Sequence, residues 1–197
     1  ISLGTVGGQA ALGCVGVVWV DAHADFNTPA TSPSGNIHGM PLACLLGDGP
    51  ELLINLGHAG RKLAPGHVAL VGVRSIDVEE RERLLASGVH VYSMSDIDDR
   101  GMRGVALEVV ALLQDCDRIH VSLDLDSLDP EEAPGVGTPV PGGLTYREAH
   151  LALEIIAESG RLGSMELVEV NPILDNQNQT AELAVGLIAS ALGKKIL

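Results

Sequence analysis

Short, unbroken apolar runs alternate along this chain with stretches in which apolar residues recur every three or four positions. The runs lie at 16–21, 67–73, 89–93, 118–124 and 164–170. Each is short, rich in valine and leucine, and bounded by glycine or polar residues. That pattern predicts strands buried on both faces of a parallel sheet rather than strands with one wet face. Between them the helical period predicts helices from His38 to Leu46, 77–86, Met102 to Leu113, Thr145 to Ala157 and 179–192, with a further helix across the opening ISLGTVGGQAAL. Thr145-x-x-Glu148 is a capping box, and Gly193 is placed to end the last helix. Regular strand–helix alternation gives an α/β fold of three layers, α-β-α, with a mainly parallel sheet. No linker or repeat divides the 197 residues, so the expected organisation is one domain spanning 1–197.

In such a sheet ligands collect where strands end at their carboxyl side. The run Val17-Val18-Trp19-Val20 ends in Asp21-Ala22-His23-Ala24-Asp25, and the period of two lets Asp21, His23 and Asp25 converge beyond it. Two acids and an imidazole beside a core call for a cation, because unpaired buried charge is costly. The run at 118–124 continues into Leu125-Asp126, placing Asp124 and Asp126 on one face. Glu169 is a lone charge in the apolar stretch Leu167-Val168-Glu169-Val170. An aspartate after a strand is most often a turn former, the reading given to Asp129-Pro130. The pattern DxHxD closing an apolar strand, joined by DxD in the same sheet, is far more specific. Oxygen donors with one imidazole and no thiolate favour Mn²⁺ or Mg²⁺. Four aspartates and one histidine exceed the needs of one small ion, which points to two dications and a shared water activated for hydrolysis. His58, His67, His90 and His150 are expected on the surface or in loops, and His120 in the core as a hydrogen-bonded group.

Composition narrows the setting. The net charge of −14 argues against nucleic-acid or anionic-membrane partners, and no run of about 18 apolar residues is present. No basic-then-apolar leader is visible. Cys14, Cys44 and Cys116 lie in apolar contexts without metal-ligand spacing, so buried thiols in a reducing, cytoplasmic compartment are expected.

As a set, DAHADFNTP, SGNIHG, SLDLDSLDP, GVGTPVPGGLTYREAH and VEVNP resemble the arginase branch of the ureohydrolases, which hydrolyse guanidinium compounds to urea and an amine. The resemblance spans nearly the whole chain. It implies two Mn²⁺ ions sharing Asp21 and Asp124, with Asp25 completing one ligand set and His23 and Asp126 the other. It implies that Glu169 pairs with the guanidinium and that Asp25 passes a proton to the leaving amine. By the same resemblance His38 shuttles protons to bulk water. Asn27, Ser34 and Asn36 match positions that read the α-carboxylate of arginine, and Asp77 with Glu80 the α-amino group; Thr138 also falls among the substrate-binding positions. Ser-Gly-Asn is equally an ordinary turn. The expected reaction is L-arginine to L-ornithine and urea, in a homo-trimer or homo-hexamer.

One departure stands at the start. The family carries a GGDHS segment, whose histidine is a further metal ligand, directly before the helix resembled by ISLGTV. An N-terminally shortened chain, with the preceding strands missing and a weakened first metal site, is therefore expected. The rival readings are another ureohydrolase (agmatinase, guanidinobutyrase or formiminoglutamase), and a non-catalytic fragment that keeps the fold. A two-metal phosphoesterase ranks last, because Glu169 has no role beside an anionic substrate.

Overall fold

A computed structural model of the protein describes residues 1–194. Helix α1 (Ser2–Ala10) leads into strand β1 (Val15–Val20), followed by the short helices α2 (Pro41–Leu45) and α3 (Glu51–Ile54). Then come β2 (Val68–Val73), α4 (Val78–Ser87), β3 (His90–Ser93), α5 (Met94–Leu112), β4 (Arg118–Asp124), α6 (Tyr146–Glu158), β5 (Leu162–Val168) and α7 (Gln179–Ala191). The five strands form one sheet in the order β3-β2-β1-β4-β5, and every pairing is parallel. The α/β expectation holds, and among the described residues no helix is long and apolar enough to cross a membrane.

Side-chain alternation explains the layers. On β1, Val18 and Val20 pack with Val121 and Leu123 of β4 against α5, α6 and α7, through residues such as Val109, Ile156 and Leu187. Val17 and Trp19 face the opposite side, where Val6 of α1, Leu42 and Leu45 of α2 and Leu84 of α4 cover them. Both β1 and β2 are buried at all six positions, as near-continuous apolar runs require. The fold therefore places the carboxyl ends of β1, β2 and β4 side by side.

Several boundaries differ from the sequence expectation. The helix expected from His38 is a 3-10 turn at Ile37–Gly39 followed by α2, which starts at Pro41 because proline lacks the N–H an interior position needs. Helix α5 starts at Met94, and the helix expected from Met102 to Leu113 is its second segment. Ser93 accepts from the Asp96 N–H in a capping box, and Gly101, at φ 71° and ψ 149°, kinks α5 between the first segment and the one that follows. Strand β5 ends at Val168, so Glu169 and Val170 lie beyond it. His150 is buried on α6, its Nδ1 2.7 Å from Ser190 Oγ, and His90 lies on β3, neither being a surface loop residue. Cys44 and Cys116 are buried, whereas Cys14 is only half-buried; all three are free thiols.

Candidate metal centre

Asp21 is the first residue past β1. Its backbone N–H still donates to Val71 O (3.1 Å), so the carboxylate leaves a fixed point of the sheet. Oδ2 accepts from the Trp19 indole (3.1 Å) and Oδ1 from the His23 N–H (2.7 Å). Chain pairing continues one step further, with Arg74 and Ser75 N–H both donating to Ala22 O at 2.9 Å. At the end of β4, Asp124 Oδ1 accepts from the Asp126 N–H (2.8 Å), turning the chain into a 3-10 segment, and Asp126 swings back toward β1. Asp126 Oδ1 accepts from Ala22 N–H (3.2 Å), and Oδ2 accepts from Thr138 Oγ1 (2.9 Å) and lies 3.0 Å from His23 Nδ1. Donor atoms of Asp21, His23 and Asp126 thus fall within 4.8 Å of one another, a spacing that suits a shared cation.

Two residues at the centre have left-handed backbones, Asp25 (φ 52°) and Glu169 (φ 67°). Non-glycine residues adopt this region at a cost, and such strain concentrates at functional sites. At Asp25 the twist lets its carbonyl accept from the Leu42 and Ala43 N–H groups at the start of α2 (3.0 and 3.3 Å). At Glu169 it turns the side chain off the β5 line, and a Cβ on Gly137 would stand 3.3 Å from Glu169 Oε2.

The electrostatics show what the acids lack. Burial pushes Asp21 up to about 6, with Asp126 adding repulsion against the His23 hydrogen bond. Burial and the neighbouring Asp21 and Asp126 push Asp124 up to about 10, and Asp25 is raised by burial and by Asp21 and Asp124. His23 rises to about 10 through its hydrogen bonds to Asp126 and Asp21. Asp126 alone is held low: burial raises it, but the His23 and Thr138 hydrogen bonds win. One imidazolium cannot neutralise four converging carboxylates. The set fits divalent cations with hard oxygen preference on donor chemistry and on this excess of negative charge.

All thirteen residues selected from sequence line one cleft of about 720 Å³. The cluster of Asp21, His23, Asp25, Asp124 and Asp126 forms one part of its wall and Glu169 another. At the other side Asn27 Nδ2 donates to Asp77 Oδ2 (2.9 Å), while Asn27 Oδ1 accepts from Thr31 (2.9 Å). Glu80 is buried, and its two oxygens accept from Phe26 N–H (2.8 Å) and Asp77 N–H (3.2 Å). Ser34, Asn36 and His38 are exposed; Ser34 Oγ accepts from the Asn36 N–H (3.2 Å), so the Ser-Gly-Asn turn exists and also presents its polar groups to the cleft.

Arg74 escaped the sequence reading. Its guanidinium donates to Asp126 O (2.8 Å), Ser127 O (3.1 Å), Leu128 O (3.2 Å) and Val140 O (2.5 Å), pinning the segment that carries Asp126 to the one that carries Thr138. Gly143 makes this possible, since a Cβ there would lie 2.6 Å from Arg74 Nη2 and 2.5 Å from Leu128 C. The available signal was a charged residue directly after a fully apolar strand. The buried group around Glu166 was missed as well. Glu166 accepts from Ser122 Oγ (2.9 Å) and from Thr5 of α1, and His120 Nδ1 lies 2.7 Å from Ser164 Oγ. The hydrogen bonds from Thr5 and Ser122, with His120 Nε2 3.9 Å away, outweigh burial and hold Glu166 at about 2.

The "Arginase family" model matches residues 1–193. The arginase of Bacillus subtilis is 53% identical over 198 residues, covering 100% of this chain and 67% of that protein. Its crystal structure superposes with a TM-score of 0.98, covering 100% of this chain and 69% of the other. The arginase of Bacillus caldovelox is 52% identical, with a TM-score of 0.98 over 100% of this chain and 67% of that one. Formimidoylglutamase from Bacillus subtilis is more distant, at 28% identity and a TM-score of 0.84, covering 98% of this chain and 57% of that chain.

Proposed function

This chain belongs to the arginase family, hydrolases of the guanidino C–N bond, and from that premise we propose that it converts L-arginine to L-ornithine and urea with two Mn²⁺ ions. One observation carries the reading: the excess-negative cluster of Asp21, His23, Asp25, Asp124 and Asp126 shares a single cleft with the carboxylate of Glu169. A bound Mn²⁺ pair would supply hydroxide at neutral pH by lowering the pKa of water.

The chain's own residues do the rest. Glu169 offers a planar carboxylate that can take a guanidinium fork-to-fork, which fixes the reacting carbon over the cluster. Asp25, raised by burial and by its acidic neighbours, is suited to hold a proton and deliver it to the departing amine. His38, exposed in its 3-10 turn, connects that proton with bulk water. Ser34 and Asn36 meet the α-carboxylate as neutral donors, and Asp77 meets the α-amino group. Asn27 and Glu80 act on the substrate through Asp77, whose side chain and backbone they hold. Thr138 orients Asp126.

The test measures urea released from L-arginine and from agmatine, which lacks the α-carboxylate, with and without Mn²⁺. Arginine preference and Mn²⁺ dependence are expected. Glu169→Ala should abolish turnover and leave the Mn²⁺ content unchanged. Preference for agmatine points to another ureohydrolase, no urea from either compound to a non-catalytic role, and loss of metal in Glu169→Ala to a structural Glu169.

A further inference from the structure

The same central strands that end at the acidic cleft begin at a second constellation. Cys14 directly precedes β1, His67 directly precedes β2, and Cys116 lies two residues before β4. These strands are neighbours in the order β2-β1-β4 and run parallel, so their amino ends meet at one place. The separation in sequence, 14 to 67 to 116, hides a cluster that the sheet assembles. Cys14 Sγ lies 3.5 Å from His67 Nδ1, and one donor atom from each of Cys14, His67 and Cys116 falls within 4.8 Å of the others. A tetrahedral zinc with bonds of about 2.3 Å to sulfur and about 2.0 Å to nitrogen would set S···N at about 3.5 Å and S···S at about 3.8 Å.

The positions are held by backbone. Cys14 N–H donates to Asp117 Oδ2 (2.8 Å), Asp117 N–H returns to Cys14 O (3.0 Å), and Cys116 N–H donates to Leu113 O (3.1 Å). His67 closes a 3-10 turn whose N–H bond to Ala64 O (2.9 Å) fixes its direction. Cys116 is 4% exposed, while Cys14 and His67 are half-buried and leave a path for an ion.

We propose that Cys14, His67 and Cys116 form a second metal site for one Zn²⁺-class cation, with a fourth position open to water. Two thiolates and an imidazole select a softer ion than the carboxylates at the far end of the same strands, which are about 20 Å long. The bound ion ties together the openings of three central strands and so acts on stability, not on the reaction.

Co²⁺ titration of the full chain, followed by Zn²⁺ competition, tests this. Thiolate-to-Co²⁺ charge-transfer absorption should appear, be erased by Zn²⁺, persist in Cys44→Ser, and vanish in Cys14→Ser and Cys116→Ser. The carboxylate cluster has no thiolate and cannot give this band, so the result is independent of the arginine reading. His67→Gln and Cys14→Ser change half-buried groups and keep the test valid if Cys116→Ser does not fold. No band, a band that survives Cys14→Ser, or only one titratable thiol because Cys14 and Cys116 have joined as a disulfide would each overturn the proposal.

Discussion

Asp124 on β4 and Glu166 on β5 are buried or half-buried carboxylates on paired strands of one sheet, yet their surroundings act in opposite directions. Glu166 sits among hydroxyls from Thr5 and Ser122 and the His120 ring, and it is held at about 2. Asp124 sits among Asp21 and Asp126 and is driven up to about 10. The first acid is satisfied by the protein and belongs to the fold. The second is satisfied only by something the protein must acquire. A buried acid whose neighbours are also acids marks a site; one whose neighbours are donors marks a strut.

The sharpest way to break this comparison is Asp124→Asn. Arginine turnover and bound Mn²⁺ should fall by about 10³-fold or more, as when electrostatic stabilisation of the reacting centre is removed. The metal-free variant should nevertheless be more stable than the metal-free parent, by about 1 kcal/mol or more, because the parent must take up a proton at Asp124 to fold at neutral pH and an amide need not. Lower thermal stability of apo Asp124→Asn would sink the distinction. Glu166→Gln should do the reverse, with a stability loss of about 2 kcal/mol in denaturant melts from an amide that cannot accept at both oxygens, and Mn²⁺ content unchanged once folded.

Thr138→Val separates positioning from ligation. It removes the 2.9 Å hydrogen bond to Asp126, and Mn²⁺ affinity measured by competition with a chelator should weaken by about 10- to 100-fold. An unchanged affinity would mean that His23 and the Ala22 N–H orient Asp126 without Thr138.

The smallest effect is a pH slope in the metal-free chain. The depressed Glu166 contributes stability that is full above the ordinary 4.5 and lost as pH falls toward about 2. The raised Asp21 works oppositely: the folded chain binds the extra proton, so stability falls as pH rises from 3.8 through about 6. Thermal melts in chelator should therefore show a maximum where the two windows overlap, from 3.8 to 4.5, and Mn²⁺ should remove the fall on the alkaline side. A monotonic rise through both windows in chelator would contradict the sign assigned to the cluster.

Much of this was legible from the chain itself, for a physical reason. A strand buried on both faces must be an unbroken apolar run, and residues just past its end must project where the sheet stops. Asp21, His23 and Asp25, or Asp124 and Asp126, therefore mark the candidate metal cluster through local spacing alone. Local spacing also exposed the α/β alternation and the Thr145–Glu148 capping box. It failed where one chemical type serves two purposes. The residues from Met94 to Asp99 carried no helix expectation but begin α5, and Glu169 read as a strand residue but sits in a left-handed turn beyond β5.

Only the tertiary structure decided the rest. His150 reads as a surface residue until α7 brings Ser190 to it. Arg74 is an ordinary charge until Gly143 lets four carbonyls gather around it. Cys14, His67 and Cys116 have no meaningful spacing, because the amino ends of parallel strands are joined by crossovers of tens of residues and meet only in the assembled sheet. Sequence by itself determined the strands, the family and the acids at one end of them. The pairing order β2-β1-β4 decided which distant residues share an environment, because hydrogen bonding between strands, not proximity in the chain, sets who is whose neighbour.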